Sequence, residues 1–350
     1  MKNKFTKAFF ENIISKQTNK PTEIETLKIE SYYDVPGLHW SNPGIRKVTI
    51  ATTNDEIELI IKILHEKSKR EVLIYRYLSQ FQNFPISKVY YSEYDEDTNN
   101  YILIIEFGGS VGELPFKEPQ IELCGKLLAR IHSYFYDRID TLPNIFFQKT
   151  YNYYQMRYQF KDNAILFLTS LKDTERKVLE KLLPNIDLLQ SAIESLENSF
   201  FIIEPYTNWT LIHGAFHPPE IVLKKGESDV VPLGVDWEGS RVGHPAEDIV
   251  GITSQIVYWG EPHYYSLMIN SYIEEMNKHH IDIDKQALEK EMIIENIILG
   301  IRGIPFLWRQ YLRNKDDPKF TGWVNWFEEA CPKITAVLLN EISEKKWTIL

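Results

Sequence analysis

The chain has 350 residues, of which 43% are hydrophobic and 25% are charged. This length and composition suit about two packed domains and exclude wholesale disorder. The net charge of −10 argues against a nucleic-acid partner, and no apolar run approaches the ~20 residues of a membrane span.

The beginning of the chain lacks the apolar stretch of a signal peptide, so we expect a cytoplasmic protein. Its two cysteines, Cys124 and Cys331, are far apart in sequence. In a reducing compartment we expect them to be small buried hydrophobes rather than a disulfide or a metal site.

The first ~110 residues predict a small, strand-rich lobe. Two β-rich runs, 46–52 and 57–64, are separated by a polar turn. A helix is predicted from about 67 to 81, and two further strands are predicted at 89–94 and 101–107. A Gly-Gly pair then ends the pattern, so the predicted order is strand–strand–helix–strand–strand.

From residue 118 onward the sequence predicts mainly helices. A core-facing stripe at helical spacing comprises Ile121, Cys124, Leu127, Leu128, Ile131 and Phe135. Residues 140–198 form an insertion with an aromatic-rich stretch and one charged helix at about 174–196. Further helices are expected to the end of the chain. The predicted breaks between them lie near Gly260, 281–284, 303–305 and 316–318.

Two motifs follow one another in the middle of the chain. His-Gly-Ala-Phe-His-Pro-Pro-Glu occupies residues 213–220. An apolar strand then leads into Asp-Trp-Glu at 236–238 and Gly-His-Pro-Ala-Glu-Asp at 243–248. In order and spacing these resemble the His-Gly-Asp-x-His-x-x-Asn and Asp-Trp-Glu…Gly-x-Pro-x-x-Asp motifs of the aminoglycoside-phosphotransferase and choline-kinase families.

The resemblance implies an α+β fold of the two-lobed, protein kinase-like type. A small antiparallel β-rich N-terminal lobe is expected at 1–108, and a large, mainly helical C-terminal lobe at 109–350. ATP or GTP with Mg²⁺ is expected between the lobes, and a small-molecule hydroxyl is the expected acceptor.

The resemblance also assigns roles to positions in the two motifs. The family aspartate that accepts the proton of the acceptor hydroxyl is replaced by Ala215, between His213 and His217. An alanine methyl cannot accept a proton. The family asparagine that holds magnesium is replaced by Glu220, whereas the magnesium-binding aspartate is retained as Asp236.

A single lysine, Lys62, lies in an apolar predicted strand, where an unpaired ammonium is costly to bury. The resemblance assigns it to the nucleotide phosphates, paired with Glu71 of the next helix or with Glu66 as the alternative. Glu106 and Phe107 correspond to the segment between the lobes, where backbone groups would contact the base. The sequence does not distinguish ATP from GTP.

Other features keep two interpretations open. The polar loop 38–43 occupies the place of a phosphate-covering loop, but an ordinary surface hairpin fits nearly as well. His132 is expected to be structural rather than catalytic. Six aromatic residues are either core or walls of an acceptor pocket over Ala215, and core is favoured: Tyr153, Tyr154, Tyr158, Trp259, Trp308 and Tyr311.

Three functional hypotheses follow from the missing base. The chain is a pseudokinase that binds a nucleotide or a protein partner, or it is a kinase inactivated by an introduced alanine. In the third, another group such as Glu220, Glu238 or His217 replaces the base, or the reaction differs. A scaffold that binds no nucleotide is a separate alternative. Substrate identity, residual activity and oligomeric state stay open.

Overall fold

The structure is a computed structural model that describes residues 4–32, 44–53, 55–111, 115–183, 185–197, 208–225, 230–259, 261 and 263–344. The loop 38–43 and the predicted break at Gly260 lie outside these residues. So do the side chains of Tyr158 and Trp259.

The described chain contains ten α-helices and ten strands, together with short 3-10 turns. The helices are α1 (Lys7–Thr18), α2 (Lys69–Leu78), α3 (Glu118–Ser133), α4 (Asn144–Ser170), α5 (Asp173–Leu182), α6 (Ile186–Ser195), α7 (Pro245–Trp259), α8 (His263–Lys278), α9 (Lys285–Asn314) and α10 (Thr321–Glu344). The strands are β1 (Ile24–Ser31), β2 (Ile45–Thr52), β3 (Glu56–His65), β4 (Val89–Asp95), β5 (Asn100–Glu106), β6 (Ser110–Val111), β7 (Thr210–Ile212), β8 (Ile221–Lys225), β9 (Val230–Gly234) and β10 (Arg241–Gly243).

The chain divides into two compact units. The N-terminal unit comprises Met1–Gly112 and Pro218–Gly239, and the C-terminal unit comprises Glu113–His217 and Ser240–Leu350. The segment 218–239 joins the N-terminal unit because β8 pairs with β6 on one side and with β9 on the other. Sequence boundaries alone assign this segment to the C-terminal lobe.

The N-terminal unit is built on a five-stranded antiparallel sheet in the order β1-β2-β3-β5-β4. This confirms the predicted strand–strand–helix–strand–strand order, while α1 and β1 lie outside the predicted elements. Side chains alternate between the two faces of each strand. Leu59 and Ile61 of β3 therefore share one buried face with Phe10 and Ile13 of α1.

The C-terminal unit is mainly helical, as predicted. The prediction of one continuous charged helix at 174–196 is wrong. Two helices, α5 and α6, occupy this range. Leu183 has non-helical φ and ψ of −124° and 81°, because the next residue is Pro184 and a residue before proline is disfavoured in helical conformation. Asn185 then adopts a left-handed φ of 68° before α6.

The predicted helix break at 303–305 is also wrong. Helix α9 continues through Pro305, although proline removes one backbone hydrogen bond and costs a helix interior about 3 kcal/mol. Ile301 and Trp308, on either side of the proline, are buried in the same core. Packing of this face therefore outweighs the cost of the proline.

Two of the predicted breaks in this unit are confirmed. Helix α8 ends at Lys278 and α9 begins at Lys285, which confirms the break at 281–284, and the break at 316–318 follows the end of α9. Cys124 and Cys331 are buried and unpaired. Among the described residues, no helix is long and apolar enough to cross a membrane.

Candidate active site

The N-terminal unit holds a buried lysine–glutamate pair. The Lys62 Nζ atom donates a hydrogen bond to the Glu71 Oε1 atom at 2.6 Å. The two side chains are only 12% and 4% exposed. Helix α2 begins at Lys69, so Glu71 lies in its first turn, while Glu66 lies before the helix and is exposed. The structure thus pairs Lys62 with Glu71, and the phosphate role of Lys62 stays a prediction.

The two members of the pair affect each other's protonation unequally. Burial lowers the pKa of the Lys62 ammonium, but Glu71, Tyr75 and Asp236 together outweigh burial, and the pKa is raised overall. Burial raises the pKa of the Glu71 carboxyl, and Lys62 opposes this rise. Removing either partner would leave a buried, uncompensated charge, which is strongly destabilising.

Two further carboxyl groups complete what we call the N-terminal charged cluster (Lys62, Glu71, Glu220 and Asp236). Asp236 lies two residues after the end of β9 and has a φ of 59°, a left-handed conformation that is uncommon outside glycine and is enriched at functional sites. The Val235 N–H donates to the Glu220 carbonyl oxygen at 2.9 Å. This bond ties the segment that carries Asp236 to the one that carries Glu220.

The cluster changes the protonation of Glu220. Burial, followed by the charge of Asp236, raises the pKa of Glu220 to about 9, and Lys62 only partly opposes this. At neutral pH the ligand-free protein therefore holds Glu220 as a neutral carboxylic acid. An asparagine at the same position would be neutral as well, so the substitution adds no formal charge until Glu220 loses its proton.

The cluster can serve a magnesium ion only in part. No group of three or more His, Cys, Asp and Glu side chains among the described residues is arranged to hold a metal. Magnesium in phosphate-binding proteins usually takes one or two carboxylates together with phosphate oxygens and water. Asp236 and Glu220 fit that arrangement and do not fit an all-protein cage.

The backbone at the end of β5 is largely occupied. The Glu106 N–H donates to the Lys88 carbonyl at 2.8 Å, and the Phe107 N–H donates to the Glu58 carbonyl at 2.9 Å. The Lys47 ammonium lies over the Phe107 ring at 4.0 Å. At these two residues a base would therefore meet carbonyl oxygens rather than N–H groups.

In the C-terminal unit, Asp248 holds the loop that follows β7. Its carboxylate accepts hydrogen bonds from the His213 N–H at 2.6 Å and the Gly214 N–H at 2.8 Å. It also lies 3.3 Å from His132 Nε2, whose ring contacts the Tyr272 hydroxyl on its other side. His132 is fully buried in this network, which supports its structural role. Asp248 belongs to the quoted motif, but its role becomes visible only in the structure.

The loop itself positions Ala215. Gly214 has a left-handed φ of 78°, which turns the chain after His213. A Cβ atom on Gly251 of α7 would lie 2.0 Å from the Phe216 carbonyl oxygen, so α7 approaches the loop at a distance that only glycine allows. The His217 Nδ1 atom lies 2.5 Å from the Ala215 carbonyl oxygen.

That contact fixes the tautomer of His217. A carbonyl oxygen can only accept, so Nδ1 of His217 carries the hydrogen. In the neutral ring the lone pair then lies on Nε2. His217 therefore orders the loop and, unlike Ala215, retains an atom that can take up a proton.

Comparison with known proteins identifies the family. The family model described as the phosphotransferase enzyme family (APH) matches residues 47–279. This chain belongs to the phosphotransferase enzyme family. No curated protein matches it significantly in sequence.

Solved structures of other proteins have the same fold as this chain. An aminoglycoside phosphotransferase from Alicyclobacillus acidocaldarius is similar with a TM-score of 0.55 and 12% identity, covering 87% of this chain and 90% of its own. A Plasmodium vivax ethanolamine kinase has a TM-score of 0.51 and 14% identity, covering 90% and 82%. The two-lobed, protein kinase-like α+β fold expected from the motifs is thereby confirmed.

The C-terminal unit of this phosphotransferase-family chain also holds a buried charge network that the motifs do not predict. Arg241 pairs with Glu247 at 2.5 Å, donates to the Gly214 carbonyl at 3.3 Å and lies 4.0 Å from the Tyr153 ring centroid. The Tyr154 hydroxyl donates to Glu247 at 2.6 Å. Tyr153 and Tyr154 thus support the loop from within the unit. Trp308 and Tyr311 stack on each other in the helical core.

His244, at the start of α7, gives the unit a sensitivity to acid. Burial lowers its pKa to about 4 from 6.5. The neutral ring therefore contributes stability that is complete above pH 6.5 and is lost as the pH falls toward 4. We expect His244→Asn to reduce the loss of unfolding free energy between pH 7.5 and pH 5 by about 1–2 kcal/mol.

Urea unfolding at the two pH values measures this difference. Asparagine retains an oxygen for the Ala246 N–H that the His244 ring now accepts. His263→Asn, at an exposed histidine, is the matched control and should leave the pH dependence unchanged. An acid sensitivity of His244→Asn equal to that of the unmodified chain would contradict the prediction.

Proposed function

We propose that this chain binds ATP or GTP with Mg²⁺ at the N-terminal charged cluster and transfers phosphate weakly or not at all. The observation that carries the proposal is that the expected nucleotide-binding residues of the family are retained, whereas its proton acceptor is not. Lys62, Glu71 and Asp236 are retained and lie close together, with Glu71 buried and Lys62 and Asp236 half-buried. Position 215, where the family's proton acceptor is expected, is an alanine.

The retained cluster points to a ligand, because burying several ionisable side chains together is unfavourable for folding. Several charges share a buried environment, and Glu220 is driven to its neutral form. A fold that needed only stability would be served as well by apolar residues in the same space. A ligand with several phosphates and a divalent cation would offset the free-energy cost of burying these charges. Its phosphate oxygens would pair with Lys62, and its cation would pair with Asp236 and Glu220.

When bound, Mg²⁺ would neutralise the charge on the phosphates. In this proposal Lys62 contacts the phosphates, Glu71 holds the Lys62 ammonium in position, and Asp236 with deprotonated Glu220 holds the ion. Phosphoryl transfer depends mainly on positioning and electrostatics, so the loss of a base lowers the rate without abolishing the chemistry.

A slow small-molecule hydroxyl phosphotransferase is the second candidate. The tautomer of His217 favours it, since its Nε2 lone pair could accept the proton that Ala215 cannot. In the first candidate the nucleotide-bound chain binds a protein partner without turnover, and in the second it phosphorylates a small molecule. The two differ in whether His217→Ala abolishes residual nucleotide consumption.

Calorimetric titration with ATP and GTP, with and without Mg²⁺, tests the proposal. The variant to compare is the double substitution Lys62→Met and Glu71→Gln, because Lys62→Met alone would leave Glu71 buried and unpaired. We expect it to weaken nucleotide binding at least ~10-fold, about 1.4 kcal/mol, while the ligand-free melting temperature changes by only a few degrees.

The same sheet offers a matched control. Lys28 and Glu30 form an exposed pair at 2.6 Å on β1, and the double substitution Lys28→Met and Glu30→Gln should leave binding unchanged. Asp236→Asn should remove the magnesium dependence of binding. If the unmodified chain binds neither purine nucleotide with or without Mg²⁺, the proposal is wrong and the scaffold alternative is supported.

A further inference from the structure

A cavity of about 860 Å³ lies within the C-terminal unit. Its volume falls in the range of small-molecule sites. Helices α4, α7, α9 and α10 contribute most of its lining, and no residue of the catalytic loop 213–217 takes part. It is therefore separate in its lining from both the loop and the N-terminal charged cluster.

The rim of the cavity exposes large apolar side chains. Leu166 of α4 is 68% exposed, and Leu299 and Phe306 of α9 are 40% and 53% exposed. Residues 299 and 306 are two helical turns apart, so they lie on one face of α9. Apolar side chains grouped around a concave surface mark a site for an apolar ligand body.

The charged residues of the lining are two arginines and one glutamate. Arg302 and Arg309, also two turns apart on α9, both line the cavity and are exposed. Within the described part of the chain neither guanidinium forms an ion pair, and Arg302 contacts only the faces of the Tyr153 and Phe160 rings. The lining contains one carboxylate, Glu341. In a chain with a net charge of −10, this local excess of positive charge favours an anion.

We propose that this cavity binds an amphipathic small molecule with an apolar, ring-sized body and one anionic group. The apolar body occupies the cavity beside Leu299 and Phe306, and the anionic group pairs with Arg302 and Arg309. The inference does not depend on nucleotide binding, because all of these residues belong to one unit and to a different set of side chains.

Gly303 provides a way to close the cavity without disturbing the fold. It lines the cavity on α9, and a Cβ atom there would have only Leu307 Cδ1 within 4 Å, at 3.8 Å. Gly303→Phe should therefore fill the space, whereas Gly303→Ala adds only a methyl group. Replacing a helical glycine also favours the helix, so both variants should fold, and thermal melting checks this.

The probe is 8-anilinonaphthalene-1-sulfonate, followed by its fluorescence in the absence of nucleotide. N-phenyl-1-naphthylamine has the same rings without the sulfonate and reports the apolar part alone. We expect one saturable site for the sulfonate probe, at least ~10-fold weaker in Gly303→Phe and nearly unchanged in Gly303→Ala. Leu188→Gln, at an exposed leucine that is not part of the lining, should also bind normally.

The double variant Arg302→Gln and Arg309→Gln tests whether the two arginines bind the anionic group of the ligand. This double variant should weaken the sulfonate probe about 10-fold and the neutral probe less than about twofold. Non-saturable probe fluorescence, or equal affinity in Gly303→Phe and the unmodified chain, would overturn the site. An equal loss of affinity for both probes in the arginine variant would show that the arginines do not bind an anionic group. None of these results depends on whether the N-terminal charged cluster binds nucleotide.

Discussion

Ala215→Asp is expected to raise nucleotide consumption by about 10²-fold or more, because it restores a carboxylate at the position of the family's proton acceptor. Residue 215 is only half-buried, and the loop around it is already ordered by Asp248 and by His217. The new carboxylate would therefore enter a preformed loop. Release of ADP, with water or a hydroxyl compound as acceptor, measures the gain.

A second substitution, at Glu220, tests whether the family's metal geometry contributes to this gain. A restored aspartate adds a second acidic side chain to residues 213–220, and the double variant with Glu220→Asn returns both positions to the family's motif. If the family's metal geometry matters, the double variant should exceed Ala215→Asp alone. Ala215→Asn is the matched control, since it has nearly the same shape and no basic oxygen. ADP release by the unmodified chain as fast as by Ala215→Asp would show that Ala215 does not mark the missing base.

Asp248→Ala is expected to cost about 3–5 kcal/mol of unfolding free energy, the largest effect on stability that we predict. The substitution leaves the buried His213 N–H and the half-buried Gly214 N–H without their acceptor and removes the partner of His132. Each buried polar group without a partner costs about 1–3 kcal/mol. Chemical denaturation and thermal melting measure the loss, which corresponds to roughly 10 °C.

The matched control is Asp187→Ala on α6. The Asp187 side chain is 86% exposed and pairs with Arg176 at the surface, where ion pairs contribute little. We expect this variant to melt within about 2 °C of the unmodified chain. An equally small shift for Asp248→Ala would mean that the catalytic loop is held by other contacts.

Several features of the molecule can be predicted from local sequence alone. Short runs of apolar, mostly β-branched residues mark β3 and β5, helical spacing marks α3, and the two motifs in their order indicate the kinase-like fold. Lys62 is conspicuous because an ammonium in an apolar strand requires a partner. Each of these inferences depends on residues close together in the chain, where the periods of strands and helices leave a direct imprint.

Other features depend on residues that meet only in the folded chain. Glu71 rather than Glu66 pairs with Lys62, since the start of α2 decides which carboxylate faces β3. Segment 218–239 joins the N-terminal unit through strand pairing with β6 across more than 100 residues. Local propensity is overruled at Pro305, because the apolar face of α9 packs in the core on both sides of it.

The sequence by itself thus determined the family, the fold class and the absence of a proton-accepting side chain at position 215. Only the tertiary structure decided that the pKa of Glu220 is raised, that Asp248 holds the catalytic loop, and that α9 places two arginines in the lining of a cavity. The physical reason is that burial and charge act through space. The pKa of Glu220 is set by its burial and by Asp236, Lys62 and Glu71, which come together from distant parts of the chain.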